Sequence, residues 1–301
     1  MNSYKKPERI EIVYFSGTGS TRQVADEFAV QLKGHGISVG FSELKQSNTL
    51  LKALKCRDTD MLILIYPVYA LNAPKPIHQF ITGLSKTKSC TAAVFSVSGG
   101  GEISPNTACR LHCIHRLEKK GYRVTYEKMI VMPSNFAMAT PDELAIRLLQ
   151  VLPSKVELIC RDLLRGKIRR PKPILFDQFL SVVGELGRTK ISSWIFGKHI
   201  KANKNCNGCG LCKANCPMGN IKLINRKPVF HSRCALCLKC IYRCPKGALS
   251  PGIGKFIILK DGYPLKKWEN QMNDKLPAID YNSYGYAFSG IVKYLKEDEK
   301  R

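Results

Sequence analysis

The sequence predicts an α/β protein in two parts: a doubly wound, five-stranded parallel sheet, then a second, small α+β unit organised by cysteines. Two observations carry this expectation. Through the first half, short apolar runs alternate with helix-length amphipathic segments, and loops rich in glycine and hydroxyl residues separate them. In the second half one cysteine word occurs twice, 28 residues apart: Cys206-x2-Cys209-x2-Cys212-x3-Cys216-Pro217, then Cys234-x2-Cys237-x2-Cys240-x3-Cys244-Pro245. With 301 residues, 44% of them hydrophobic, the chain can bury more than one core.

The first strand is the apolar run 10–15, of the kind buried in a parallel sheet, and it ends in Ser16-Gly17-Thr18-Gly19-Ser20-Thr21. Helical residues follow over 22–33. A strand, a glycine-rich loop and a helix start make an anion cradle, because backbone N–H groups and the helix N-terminus face the guest while hydroxyls donate. The loop lacks the lysine of a P-loop, and Arg22 stands where a dinucleotide fingerprint needs its third glycine. Four hydroxyls suit a phosphate monoester, which points to a mononucleotide such as FMN.

Further strands are expected at 37–44, 61–66, 91–97 and 122–131, and helices at 46–55, 75–83, 105–120 and 141–165, the last kinked at Pro153. In such a sheet the ligand loops lie at the strand C-termini, near the point where the strand order reverses. After the third strand come Pro67, Val68 and Tyr69; after the fourth, Ser96, Ser98, Gly99, Gly100 and Gly101. Tyr69 is either a stacking partner for a flat ring or an ordinary loop aromatic, and the glycine run either admits backbone amides to the ring edge or marks a plain turn. Asn135, beyond the fifth strand, either reaches the same ligand or caps a turn.

The join at 166–173 is a basic, proline-marked linker. Residues 174–196 then show helical apolar spacing through Phe176, Phe179, Leu180, Val183 and Leu186. Two readings stay open: a face for a membrane surface or a partner, or, as the ordinary reading, a helix packing the cysteine-rich unit against the sheet.

Three thiolates at two-residue spacing can wrap one face of an iron–sulfur cube, while the fourth, turned aside by its proline, reaches the other cube. By that pattern Cys206, Cys209, Cys212 and Cys244 hold one 4Fe-4S cluster, and Cys234, Cys237, Cys240 and Cys216 the second. Zinc sites usually take two ligand pairs across a long spacer, so the third cysteine of each word would be redundant. The polar first nine residues carry no secretory signal, so a reducing, cytoplasmic setting without disulfides is expected. Cys56, Cys90, Cys109, Cys113 and Cys160 share no spacing with the eight. Cys109 and Cys113, near His112 and His115, read as helix packing.

The sequences around the two words match in offset, which suggests a pseudo-twofold βαβ pair, with one more strand at 255–259. The aromatic tail, with Tyr281, Tyr284, Tyr286, Phe288 and Tyr294, is expected to pack back on the body.

The net charge is +25, and residues 206–250 contribute +8 of it without one acidic side chain. Two oxidised cubes, at about −2 each, offset half of that excess. The remainder favours the reduced clusters and steers acidic partners inward. Basic residues do not interleave with aromatics and no helix-turn-helix or zinc-finger spacing occurs, so nucleic acid is not expected. No run of about eighteen apolar residues exists, so no transmembrane segment is expected either.

Over residues 8–135 the chain resembles the flavodoxin family, on the Ser-Gly-Thr-Gly-Ser-Thr loop and the two later loops. With the cysteine words, the whole chain resembles the flavodoxin–ferredoxin fusion proteins of anaerobic bacteria and archaea. The resemblance implies a flavodoxin-like FMN-binding domain over 1–166, a linker and docking helix over 167–197, a two-cluster ferredoxin domain over 198–254 and a C-terminal extension over 255–301. It also implies an electron-transfer protein working with a redox partner. Typical flavodoxins are acidic and this chain is basic, so their partner does not carry over and an acidic docking surface is expected instead. A redox sensor that binds a macromolecule is the alternative, and a flavin-free scaffold a third. No catalytic triad, paired carboxylates or radical-SAM spacing points to a substrate-specific reaction.

Overall fold

The most apolar segments of the chain become the centre of the sheet. β3 (Met61–Pro67) and β4 (Thr91–Ser98) are buried along nearly their whole length, as strands covered on both faces must be. They pair in parallel with each other, and β1 (Arg9–Tyr14) and β5 (Arg123–Val131) extend the sheet on either side. β2 (Ser38–Glu43) closes the far edge, giving the order β2-β1-β3-β4-β5. This is the flavodoxin-like doubly wound order, whose reversal falls between β1 and β3. The computed structural model describes residues 4–45, 59–188, 196–274 and 278–299; the helix expected at 46–55, and Cys56, lie outside them.

Alternate strand residues feed two cores. Ile10, Ile12, Ile63 and Ile65 meet α1 (Ser20–Gly34) and α5 (Leu152–Leu164) on one face; Val13, Leu62, Leu64 and Val94 meet α2 (Lys75–Gly83) and α3 (Leu111–Lys119) on the other. Cys113, on α3, and Cys109, just before it, are buried as packing residues. α3 is shorter than the expected 105–120, because Thr107 bonds through its N–H and its hydroxyl to Asp177 instead of winding into helix. The expected kink at Pro153 is a break: α4 (Asp142–Gln150) ends before Val151, and α5 starts with proline in its first turn, where a missing N–H costs nothing.

The cysteine-rich unit repeats itself with the 28-residue displacement of its words. Short helices lie at Leu211–Ala214 and Lys239–Tyr242. The strands β6 (Lys201–Ala202) and β7 (Ile221–Ile224) have counterparts in β8 (Lys227–Phe230) and β9 (Leu249–Ser250), but the pairing exchanges partners: β6 with β9 and β7 with β8, both antiparallel. The strand expected at 255–259 is instead a 3-10 turn, Gly252–Ile257, entered through Gly252 at φ +59°. The tail does return to the body, where Ile291, Tyr294 and Leu295 pack on Val131, Leu144 and Leu148; Tyr286 stays exposed.

α6 (Leu175–Arg188) departs from the ordinary reading of its sequence. Asp177 and Ser181 are buried, while Phe176, Phe179 and Val183 face outward, so the apolar stripe does not serve as internal packing. Hydrogen bonds to fixed loops, and not apolar burial, decide which face turns inward.

An arginine holds the β4–β5 edge. Arg110 is 1% exposed; its Nε donates to Glu127 at 2.8 Å and its Nη1 to the Ser96 hydroxyl at 2.9 Å, and its other nitrogen pairs with Glu102. Arg169 and Arg170 complete the network on Glu102 and Glu127. Removing Arg110 strips an ion pair from buried Glu127 and another from Glu102, which keep only Arg170 and Arg169, so Arg110→Met is expected to destabilise the protein by about 3 kcal/mol, read from the urea midpoint.

Candidate functional site

A cavity of about 400 Å³ opens at the C-terminal ends of β1, β3, β4 and β5, beside the strand reversal. Gly17, Thr18, Ser20 and Thr21 line its β1 side, Pro67, Val68 and Tyr69 its β3 side, and Ser98, Gly99 and Gly100 its β4 side. Among the described residues no charged side chain lines it. α1 begins at Ser20 with no acidic residue in its first turn, and its first intrahelical bonds run from the N–H groups of Arg22 and Gln23 to Gly19. The N–H groups before them, which a helix never bonds internally, remain for an anion. Asn135 also lines the cavity, and its Nδ2 donates to the Thr18 hydroxyl at 2.7 Å, so it braces the loop.

Four expected residues stand back from the cavity lining. Ser96 is fully buried under the Arg110 guanidinium and supports the sheet edge. Gly101 turns away at φ +78° and rests on Gly290. Gly19 forms the N-cap of α1 at φ +129° with Leu265 against it. The Ser16 hydroxyl is buried behind the loop with no hydrogen-bond partner among the described residues, an unmet donor of the kind a bound phosphate satisfies.

The turn after β3 is tight. Tyr69 and Asn72 exchange backbone bonds of 2.9 and 3.0 Å, forcing Ala70 and Leu71 into left-handed conformations at φ +48° and +59°. Such strain persists only where the surroundings enforce it. Here Asn72 does so: its side chain is fully buried and bonds both the backbone and the hydroxyl of Ser181 on α6. The Tyr69 ring stands edge-on to Phe15. Its hydroxyl is buried with no hydrogen-bond partner among the described residues, and burial first, then negative charge on Cys237 and Cys234, pushes its pKa well above the ordinary value.

The cysteines gather into two groups of four. One pocket is lined by Cys206, Cys209, Cys212 and Cys244, another by Cys216, Cys234, Cys237 and Cys240. Each group takes three residues from one word and the fourth from the other. Burial pushes the Cys234 thiol up to about 12 and Cys237 to about 11, with neighbouring thiolates of the same group adding to the effect; Cys240 is raised by burial and then by Cys237, Cys234 and Cys216. Backbone N–H groups point at three sulfurs: Asn220 at Cys216 (3.2 Å), Ala248 at Cys244 (3.3 Å) and Leu236 at Cys234 (3.4 Å). Among the described residues no three His, Cys, Asp or Glu side chains converge tightly enough to hold one ion. A cube of four irons takes four thiolates, one on each iron. Thiols without competing oxygen ligands fit that chemistry.

Sequence reasoning missed that the two halves share a wall. Leu236 and Leu238, from the second cysteine word, line the large cavity together with the glycine-rich loop. Both are left-handed, at φ +58° and +57°, where the first word has Gly208 and Gly210 at +71° and +79°. A leucine in that conformation costs about 1–2 kcal/mol, and here it closes a pocket. The mismatch between glycine in one word and leucine in the other was visible in the sequence; its meaning was not. At the contact itself, a Cβ on Gly17 would lie 2.8 Å from the Cys237 carbonyl oxygen and against the Tyr69 hydroxyl.

No family model matches the chain. An uncharacterized protein of Methanocaldococcus jannaschii is 36% identical over 78 residues, which cover 26% of this chain and 30% of that protein, so the match spans under a third of the relative's length. Among solved structures, a short-chain flavodoxin associated with a non-canonical PDU bacterial microcompartment is 16% identical with a TM-score of 0.39, covering 52% of this chain and 97% of its own. Flavodoxin 2 of Bacillus cereus is 19% identical, also at 0.39, with the same coverage of both chains. The rubredoxin oxygen:oxidoreductase of Desulfovibrio gigas is 15% identical at 0.34, over 54% of this chain and 37% of that one. At these scores the strand order, and not the superpositions, carries the assignment of the fold.

Because no Cβ fits between the loop and the second cysteine word, Gly17→Ala is expected to force the two apart and cost about 1–3 kcal/mol. A fall in the thermal midpoint, beyond that of an alanine placed at the open Gly34, checks this.

Proposed function

We propose that the protein transfers electrons between an FMN in the large cavity and two 4Fe-4S clusters on the eight cysteines, exchanging them with a redox protein that docks through an acidic surface. One observation carries the reading: the four-cysteine pocket of Cys216, Cys234, Cys237 and Cys240 shares Leu238 with the lining of the glycine-rich loop's cavity, and Cys237 itself meets Gly17 beside Tyr69. A bound flavin exchanges electrons in pairs or singly and a cube exchanges them one at a time, so a shared wall suits a converter between the two.

The residues divide the work. Thr18, Ser20, Thr21 and the N-terminal amides of α1 hold the phosphate, with the Ser16 hydroxyl behind them. The Tyr69 turn and Gly99-Gly100 flank the ring, whose apolar side meets Leu236, Leu238 and Met132. The N–H groups directed at Cys216, Cys234 and Cys244 stabilise negative charge on sulfur and raise the potential. In the group of Cys206, Cys209, Cys212 and Cys244, Cys209 is exposed, which makes that group the outer one, set in the segment of eight cations and no anions. An acidic partner is drawn to that end.

Two outcomes test the reading. Anaerobically prepared protein is expected to contain about eight irons and one FMN per chain. In the Cys216→Ala/Cys240→Ala double variant about four irons are expected to remain, because both substitutions fall in one pocket; a ligand set confined to each word would lose all eight.

Replacing both left-handed leucines, Leu236→Gly and Leu238→Gly, relieves backbone strain but opens the cavity. The expected result is an FMN dissociation constant raised about tenfold, by fluorescence titration, with the iron content unchanged.

A further inference from the structure

α6 is a surface helix with its polarity reversed. Its buried face is polar: the Asp177 carboxylate accepts the Ser104 hydroxyl at 2.7 Å and both the N–H and hydroxyl of Thr107, at 3.1 and 2.5 Å, while the Ser181 hydroxyl donates to Asn72 at 3.0 Å. Its outer face is apolar. Leu175, Phe176 and Phe179 are 81, 62 and 64% exposed, and Ile174, Val182 and Val183 continue the ridge. A helix that serves only as a lid buries such positions, and contiguous exposed apolar surface of this kind marks a contact site.

Charge selects the occupant. Just before the ridge, Arg165, Lys167, Arg170 and Lys172 are exposed, with Ile168 among them; Lys167 also pairs with Asp162, and Arg170 with Glu118 and Glu127. Beyond it, from Leu186 to Lys260, the sequence holds fifteen Lys and Arg and not one Asp or Glu. A second copy of a chain with net charge +25 is repelled at close approach. A transient redox interface is small and wet, unlike a row of phenylalanines. An apolar ridge beside a dense set of cations matches a bilayer whose headgroups are anionic. Among the described residues no helix is long and apolar enough to cross a membrane, so the contact is one of lying on the surface.

We propose that α6 seats the protein on an anionic lipid bilayer, with Phe176 and Phe179 entering the headgroup boundary and the cations of 165–172 meeting lipid phosphates. The inner face of the same helix holds Asn72 and Thr107, so the bilayer contact is one helix away from both loops of the large cavity. The proposal does not rest on the identity of the bound cofactors.

Flotation of the full chain with vesicles tests it. Binding is expected to vesicles of phosphatidylglycerol in phosphatidylcholine, weakening as salt rises, and to be absent with phosphatidylcholine alone. Phe176→Ser/Phe179→Ser is expected to weaken binding about tenfold or more while circular dichroism and the thermal midpoint stay unchanged, since both side chains are exposed. Lys167→Glu/Lys172→Glu is expected to abolish the preference for anionic lipid. The proposal is overturned if the wild type does not float with anionic vesicles, if the phenylalanine variant floats equally well, or if sedimentation shows a dimer that the variant dissolves.

Discussion

The arrangement depends on one contact that leaves no room for a side chain, where the Cys237 backbone and the Tyr69 hydroxyl meet Gly17. It joins the loop after β1 to the second cysteine word without an intervening layer. Two units tethered by a linker would drift relative to one another, whereas here part of one unit is the wall of the other's cavity. The leucines at 236 and 238 follow from this. Their counterparts in the first word, Gly208 and Gly210, lie against the outer cysteine group and are the glycines that a left-handed backbone prefers.

The same cavity is held from two further directions. The C-terminal extension brings Tyr263 beneath the loop, its hydroxyl 2.5 Å from that of Ser20 and donating to the Pro133 carbonyl at 2.9 Å; Trp268 donates to Asp142 on the neighbouring helix. On the other side Asp177 and Ser181 of α6 fix the loops after β4 and β3. Burial alone would raise the Asp177 pKa, but its hydrogen bonds to Thr107 and Ser104 hold it below the ordinary carboxylate value. That stabilisation is in place above about pH 4 and fades as the carboxylate protonates at lower pH. Loops fixed in this way present a site that needs little ordering when it is filled.

Much of this was legible in the sequence because it is written in local patterns. Apolar runs announced β1, β3, β4 and β5 to within a residue or two, and the glycines and hydroxyls from Ser16 announced the break between β1 and α1. The spacing of the cysteines announced two groups of four with exchanged fourth members, the sets that line the two pockets. Failures came where one pattern met a stronger competitor, near or far in the chain. Residues 255–259 have strand-like composition, but Gly252 and Gly254 lead them into a turn. Ser96 lies in a ligand-loop position, yet Arg110 claims its hydroxyl. The stripe of 174–186 reads as buried by periodicity, but Asp177 and Ser181 find better partners inside.

By itself, then, the sequence determined the α/β sheet, the glycine-rich loop and the eight thiols, since periodicity and spacing act over a few residues and are set by backbone geometry. Only the tertiary structure decided which cysteine group abuts the cavity, that two leucines close it, and that α6 turns its phenylalanines outward. Those outcomes rest on pairs such as Asn72 with Ser181 and Ser20 with Tyr263, 109 and 243 residues apart, which no local pattern can encode.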